Sequence, residues 1–244
     1  MDKHIEVLSD TNALIQRSLQ IVLEQFQVAI AERGVASIAL SGGSTPKPLY
    51  EAIAAQDLPW DKIQVFWGDE RYVPHDHPDS NTGMAKQAWL DRVPIPDAHI
   101  HPMPTDETDP TIAAQRYERD LRGLFQLQPG EIPTLDVVLL GMGDDGHTAS
   151  LFPHTEALQV CDRLVTVGNK DGQPRITFTV PIINQARCIL FVVAGASKQT
   201  ALKQVFAPEG DSTTYPSRLI QPQDKGTLWW LLDQAAAEGV VVPR

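Results

Sequence analysis

Apolar residues follow two alternating patterns along the chain. One is helical. Between Thr11 and Arg33, the residues Leu14, Ile15, Leu19, Val22, Leu23, Phe26 and Ile30 recur near a period of 3.6, with Ser9 or Asp10 placed to cap the start and Gly34 to end it. The other is a short, almost unbroken apolar run, found at 35–40, Ile63–Trp67, 135–140 and 188–194. Runs of this length, separated by helices, predict strands buried on both faces of a parallel sheet. Additional strands are predicted at 164–167, 176–180 and 227–232, where the pair Trp229-Trp230 reads as core packing. Further helices are predicted from Pro46 through Leu49, Tyr50 and Ile53, over 80–93 with Ser80 as cap, over 111–126, and through Leu202 and Val205. The proline-rich connector at 94–110 is irregular and reads as a surface loop or a lid. The alternation predicts an α/β fold, a mainly parallel sheet with helices on both faces. No shift in composition marks a boundary, so 1–244 is expected to form a single domain.

The residues suited to chemistry sit immediately after the buried runs. The runs end in Ser41-Gly42-Gly43-Ser44-Thr45-Pro46, in Gly68-Asp69-Glu70-Arg71, in Gly141-Met142-Gly143-Asp144-Asp145-Gly146-His147 and in Gly195-Ala196-Ser197-Lys198. Open parallel sheets bind ligands beyond the carboxyl ends of their strands. The first cluster suits a phosphate: its glycines let the backbone approach an anion, its hydroxyls can donate, and the helix behind it aims N–H groups the same way. It matches neither Gly-x-x-x-x-Gly-Lys-Ser/Thr nor Gly-x-Gly-x-x-Gly, which argues against nucleoside triphosphates and dinucleotides. Its bland alternative is a tight turn that caps a helix. Arg71, Arg175 and Lys198 are each ordinary solvated charges when taken singly; together they can surround a phosphate dianion, with arginine binding it bidentately. Imidazole as a side-chain type suits removing a proton from water near neutral pH, which makes His147 a candidate base, and Asp145, two residues before it, is placed to orient the ring. No Gly-x-Ser-x-Gly elbow is present, so hydrolysis is expected to proceed by direct attack of water.

Charge narrows the partners. The 244 residues carry a formal net charge of −11, with a pI near 5.0. Long-range repulsion then disfavours nucleic acid and anionic membrane, while a few converging cations can still reverse the field over a small anion. The apolar stretches are too short to span a bilayer and no basic segment leads into an apolar one, so a cytoplasmic setting is expected. Cys161 and Cys188 form no metal or disulfide pattern, and Cys188 reads as a small core residue. His75-x-His77 and His99-x-His101 have no third ligand at a recognised spacing, so no metal is expected. No exposed apolar stripe fixes an oligomeric state; a monomer or weak homo-oligomer is expected.

The strand-end clusters, in this order, resemble the 6-phosphogluconolactonase family. Ser41 to Pro46 resembles its phosphate loop, and Asp69-Glu70-Arg71-Tyr72-Val73-Pro74 followed by Ser80-Asn81 resembles a second motif. Gly141-Met142-Gly143-Asp144-Asp145-Gly146-His147-Thr148-Ala149-Ser150-Leu151-Phe152-Pro153 matches its longest signature, and Arg175-Ile176-Thr177 and Gly195-Ala196-Ser197-Lys198 match two shorter ones. The resemblance implies a modified Rossmann-like sheet shared with glucosamine-6-phosphate deaminases and ribose-5-phosphate isomerases. It also implies hydrolysis of 6-phospho-D-glucono-1,5-lactone, a step of the oxidative pentose phosphate pathway, without a cofactor. His147 would be the base, assisted by Asp145. Ser41, Gly42, Gly43, Ser44, Thr45, Arg71, Arg175 and Lys198 would hold the phosphate, with Asp69 and Asn81 elsewhere in the pocket. The related deaminases carry a glutamate five residues after the histidine, where this chain has Phe152. Ring opening needs that relay carboxylate and lactone hydrolysis does not, so Phe152 favours the lactonase over the deaminase. A non-catalytic sugar-phosphate sensor is the remaining alternative, disfavoured because it would need neither His147 nor Asp145.

Overall fold

The structure is a computed structural model and describes residues 2–223 and 226–241. In chain order it begins β1 (Asp2–Leu8), α1 (Thr11–Arg33), β2 (Ala36–Leu40), α2 (Lys47–Ala54), β3 (Ile63–Trp67), β4 (Asp69–Arg71) and α3 (Asn81–Ala88). It continues with β5 (Ile100–His101), α4 (Pro110–Leu124), β6 (Val137–Leu140), β7 (Val165–Lys170) and β8 (Gln173–Phe178). The last elements are α5 (Val180–Asn184), β9 (Cys188–Val193), α6 (Gln199–Phe206), β10 (Thr227–Asp233) and α7 (Gln234–Ala237). Seven strands, all parallel, form the main sheet in the order β1-β10-β9-β6-β2-β3-β5. The other three, β4-β8-β7, form a small antiparallel sheet.

The expected α/β architecture follows from burial. Every residue of β2, β6 and β9 is buried, as unbroken apolar runs require when helices cover both faces of a sheet. Helix α1 starts where the Asp10 carboxylate accepts from Ala13 N at 2.8 Å, and it stops where Gly34 takes φ of 79°, a backbone conformation that costs glycine little. The aromatic centre of the core is Trp230, stacked on Phe191 at 3.8 Å and met edge-on by Phe206. Its neighbour Trp229 does not share that role. It is only partly buried and stacks on His4 of the edge strand at 4.2 Å, beneath the Arg17 guanidinium.

Several other expectations are corrected. Residues 2–8, with no clear apolar alternation, form edge strand β1, half exposed and mixed in charge, which are features that suit a sheet edge. The helix expected over 80–93 ends at Ala88, because Trp89 turns out of it at φ −139° to bury its ring near Tyr50 and Trp60. Within the 94–110 connector, β5 pairs with β3. The strand expected over 176–180 stops at Phe178, and Val180-Pro181 opens α5, with the proline in the first turn.

The small sheet branches from the main one at Gly68. Its N–H donates to Leu40 O of β2 at 2.8 Å, and its carbonyl accepts from Phe178 N of β8, also at 2.8 Å. Asp69–Arg71 thereby leaves the main sheet and becomes a strand. The strand order of the main sheet reverses beside β2: β3 and β5 lie on one side, β6, β9, β10 and β1 on the other. Trp230→Ala is expected to lower stability by about 3–5 kcal/mol, the range for emptying a buried aromatic site. Chemical denaturation measures this, and a loss below about 1 kcal/mol would contradict the assignment of Trp230 as the aromatic centre.

Candidate active site

A cleft of about 310 Å³ opens over the carboxyl ends of β2, β6 and β9, with one wall formed by the small sheet. Ser41 to Thr45, Asp69, Arg71, Asn81, His147, Arg175 and Lys198 all line it, so these sequence-predicted residues converge. Asp145 stands behind His147.

The turn after β2 is fixed from below. The buried Tyr50 hydroxyl donates to Ser41 O at 2.6 Å and accepts from Ser41 N at 3.0 Å, and burial pushes its own ionisation upward. Gly42 lies directly against Asn81, since a Cβ at that position would stand 1.9 Å from Asn81 Oδ1. Gly43 takes φ of 99°. Among the described residues, the N–H groups of Gly42 and Gly43 have no partner inside the protein. The turn therefore presents donors to the cleft, as anion-binding backbone does.

The loop after β6 folds back on itself: Gly143 N donates to His147 O at 2.9 Å, and Gly146 N to Gly143 O at 3.0 Å. Gly143 must be small because a Cβ there would lie 2.1 Å from His147 Nδ1. The Asp145 Oδ1 atom accepts from His147 N at 3.0 Å and meets His147 Nδ1 at 2.5 Å. Burial pushes the Asp145 carboxyl upward, but the hydrogen bonds and charge of His147 outweigh it and bring it down to about 2. Asp145 is thus ionised at neutral pH and an acceptor only, so the shared proton sits on Nδ1 and Nε2 is left as the basic nitrogen. The Phe152 ring packs on the imidazole, centroids 4.5 Å apart.

The small sheet supplies the paired cations. Arg71 of β4 is directly opposite Arg175 of β8, so two like charges face each other across one ladder. Such a pair is unfavourable on its own. Burial first, then the Arg71 charge, lowers the pKa of Arg175. Arg71 Nη1 donates to Asp79 O at 2.6 Å, while the Nε atoms of both arginines are buried without a partner. An anion between them would relieve the repulsion and satisfy the free donors. Asp69 accepts from Ser150 Oγ at 2.6 Å and Asn81 Nδ2 donates to Asp69 O at 2.9 Å, tying this wall to the His147 loop and to α3.

Lys198, expected to help hold the phosphate, lines the cleft already paired with a carboxylate. Its Nζ is 2.5 Å from Asp144 Oδ1, which also accepts from Ser197 Oγ at 3.0 Å. The lysine lines the cleft, but much of its charge is met by Asp144. The paired histidines do not form a cluster: His75 Nε2 lies 2.9 Å from Met103 O, and His101 Nε2 lies 2.7 Å from Gln64 Oε1. Among the described residues, no group of three or more His, Cys, Asp or Glu is placed to hold a metal ion, and no helix is long and apolar enough to cross a membrane.

Sequence reading gives Glu70, Tyr50 and Lys170 no site role, although Glu70 lies inside the motif 69–74. Glu70 is wholly buried, and its carboxylate accepts from Arg71 N at 2.8 Å, Asn81 N at 2.7 Å, Thr82 N at 2.7 Å and Ser80 Oγ at 3.1 Å. It caps α3 and sets the position of Asn81 relative to Arg71. The motif 69–74 contains it, but its role as the cap of a helix that starts ten residues later has no local grammar.

The fold and cleft define an open parallel-sheet protein with a cation-lined crevice at its switch point, and comparison with known proteins makes the class specific. The family model described as glucosamine-6-phosphate isomerases/6-phosphogluconolactonase matches residues 9–230, and the chain belongs to that family. It is 66% identical over 236 residues to a 6-phosphogluconolactonase of Nostoc sp., covering 97% of this chain and 98% of the relative. It is 62% identical over 240 residues to the 6-phosphogluconolactonase of Synechocystis sp., covering 98% and 99%. The solved 6-phosphogluconolactonase of Trypanosoma brucei superposes with a TM-score of 0.85 at 30% identity, covering 98% of this chain and 99% of that one.

Glu70→Gln replaces one acceptor oxygen with a donor facing an N–H or a hydroxyl. It is expected to cost roughly 2–4 kcal/mol of stability, as for a buried carboxylate losing charge-assisted hydrogen bonds. Urea denaturation measures this, and an unchanged midpoint would show that the carboxylate does not organise α3.

Proposed function

We propose that the protein hydrolyses 6-phospho-D-glucono-1,5-lactone to 6-phosphogluconate by attack of a water that His147 activates. The single observation that carries the mechanism is the contact of ionised Asp145 with His147 Nδ1, which leaves Nε2 basic on the cleft side of a pocket whose other wall bears Arg71 and Arg175. The near full-length identity to lactonases supports the substrate.

The phosphate seats between the Arg71–Arg175 pair and the turn 41–45, with Lys198 at the margin. Anchoring there holds the lactone carbonyl near His147, so binding energy from the unreactive end orients the reacting carbon. His147 Nε2 takes a proton from water as the oxygen bonds to C1. The carbonyl oxygen becomes an oxyanion, for which the N–H groups of Gly42 and Gly43 are candidate donors. The tetrahedral carbon then expels the ring oxygen, which receives the proton from His147, and the new carboxyl group ionises to solvent. Asp69 and Asn81 hold the two walls in register and face the sugar. The apolar Phe152 ring lies against the imidazole, an arrangement that supports hydrolysis over ring-opening isomerisation, which needs a second carboxylate relay.

His147→Ala is expected to reduce kcat by about 10²–10⁴-fold once spontaneous hydrolysis is subtracted, the usual scale for general-base loss. Asp145→Asn should come close to it, because an amide can donate to Nδ1 and move the imidazole proton to Nε2. Retention of wild-type kcat in either variant would remove the pair from the mechanism. Arg71→Ala should raise KM for the phosphorylated lactone well above any change for glucono-1,5-lactone; equal losses would contradict the anchor. The stability contributed by the pair also has a signed pH dependence. Since the Asp145 carboxyl falls from 3.8 to about 2 on folding, that contribution is complete above 3.8 and lost as pH drops toward 2. Acid unfolding should therefore show a smaller low-pH loss in Asp145→Asn than in wild type, and parallel acid curves would contradict the coupling.

A further inference from the structure

We infer that Lys170, at the end of β7, is an additional cation for the substrate phosphate and closes the outer side of the site. The inference rests on the lactonase reading of the cleft and adds a residue to it. Side chains alternate between the two faces of a strand, and cross-strand partners share a face. Arg71 is opposite Arg175, and Arg175 is opposite Gly168. Two residues beyond Gly168, on that same face, stands Lys170. Gly168 puts no side chain between them; a Cβ there would stand 2.2 Å from Ser150 O. One face of the small sheet thus presents Arg71, Arg175 and Lys170 in a diagonal row.

Two contacts aim this row at the site. The Lys170 Nζ atom lies 5.7 Å from the centroid of the Phe152 ring, and the Arg175 guanidinium carbon lies 5.5 Å from the same centroid. That ring is the one packed on His147. Lys170 itself lines the cleft with His147 and both arginines. The hairpin end is also well defined: Asp171 and Gly172 take φ of 53° and 82°, a two-residue turn of the type that matches strand twist, and Gln173 is paired with Lys170. The lysine is therefore carried by a ladder residue rather than by a loose loop.

The charge of Lys170 is available for a ligand. Among the described residues it has no carboxylate within 4.0 Å, whereas Lys198 is engaged by Asp144 at 2.5 Å. A phosphate monoester dianion offers three acceptor oxygens. The arginines reach it from one side, and an ammonium standing diagonally on the same face reaches it from the solvent side, where water would otherwise solvate it.

The test compares wild type, Lys170→Met and Lys170→Arg on the phosphorylated lactone, on glucono-1,5-lactone and in calorimetric titration with 6-phosphogluconate. The methionine variant is expected to raise KM for the phosphorylated lactone and Kd for 6-phosphogluconate by about 5–20-fold, the scale of a partly solvated charge-assisted contact. Its kcat should stay within about twofold, and its handling of the unphosphorylated lactone should not change. Lys170→Arg should recover most of the affinity. An unchanged Kd and KM in Lys170→Met, or equal losses on both lactones, would overturn the assignment. A wild-type protein that binds 6-phosphogluconate without turning over the lactone would instead sink the lactonase reading, and the calorimetric comparison would still decide the role of Lys170.

Discussion

Two parallel strands, Ala36–Leu40 and Val137–Leu140, lie side by side where the main sheet reverses its order, and the cleft is a consequence of that adjacency. A chain leaving one must turn away from a chain leaving the other, because their successors pack on opposite sides. A crevice opens between the two exits. One exit carries the glycine turn with free N–H donors, the other the loop that folds His147 over Gly143. That one crevice takes in both the glycine turn and His147.

The small sheet turns that crevice into a charged site. It branches off at Gly68 and returns Arg71 and Arg175 as a like-charged cross-strand pair, in a chain whose formal net charge is −11. The two like charges disfavour each other, the carboxylates of Asp69, Asp79 and Glu70 offset part of that, and hydrogen bonds hold the strand in place: Glu70 fixes it to α3, and Asp69 fixes it to Ser150. A preformed cation pair costs stability in the free protein and would lower the reorganisation needed to bind an anion, as the proposed phosphate role requires. Phe152 joins the two halves, since its ring touches the imidazole and lies under the cations.

The main sheet and its strand-end clusters could be read from the chain because their signals are local. An unbroken run such as Val137–Leu140 followed by glycines and aspartates announces a buried strand and its functional exit. Edge elements were hidden because they lack that contrast: β1 mixes Lys3, His4 and Glu6 with partly covered apolar residues, and β5 has only two residues. The antiparallel sheet was hidden for a different reason. Asp69–Arg71 has the composition of a loop and becomes a strand only through pairing with residues about a hundred positions later. The same non-local logic conceals the role of Glu70, most of whose partners start another element, and Lys170, which looks like a surface lysine until the register sets it diagonal to Arg175 on the same face. The pairing of Lys198 with Asp144 likewise depends on two separate loops meeting.

The central claim is one of polarity within the cleft: cations of the small sheet at one end of the sugar, the imidazole at the other. An experimental structure with 6-phosphogluconate bound tests it most directly. The phosphorus atom is expected against Arg71, Arg175 and the turn 41–45, with a carboxylate oxygen on C1 within hydrogen-bond reach of His147 Nε2, about 3 Å. A ligand seated the other way round, its phosphate on His147 and its carboxylate on the arginines, would contradict it.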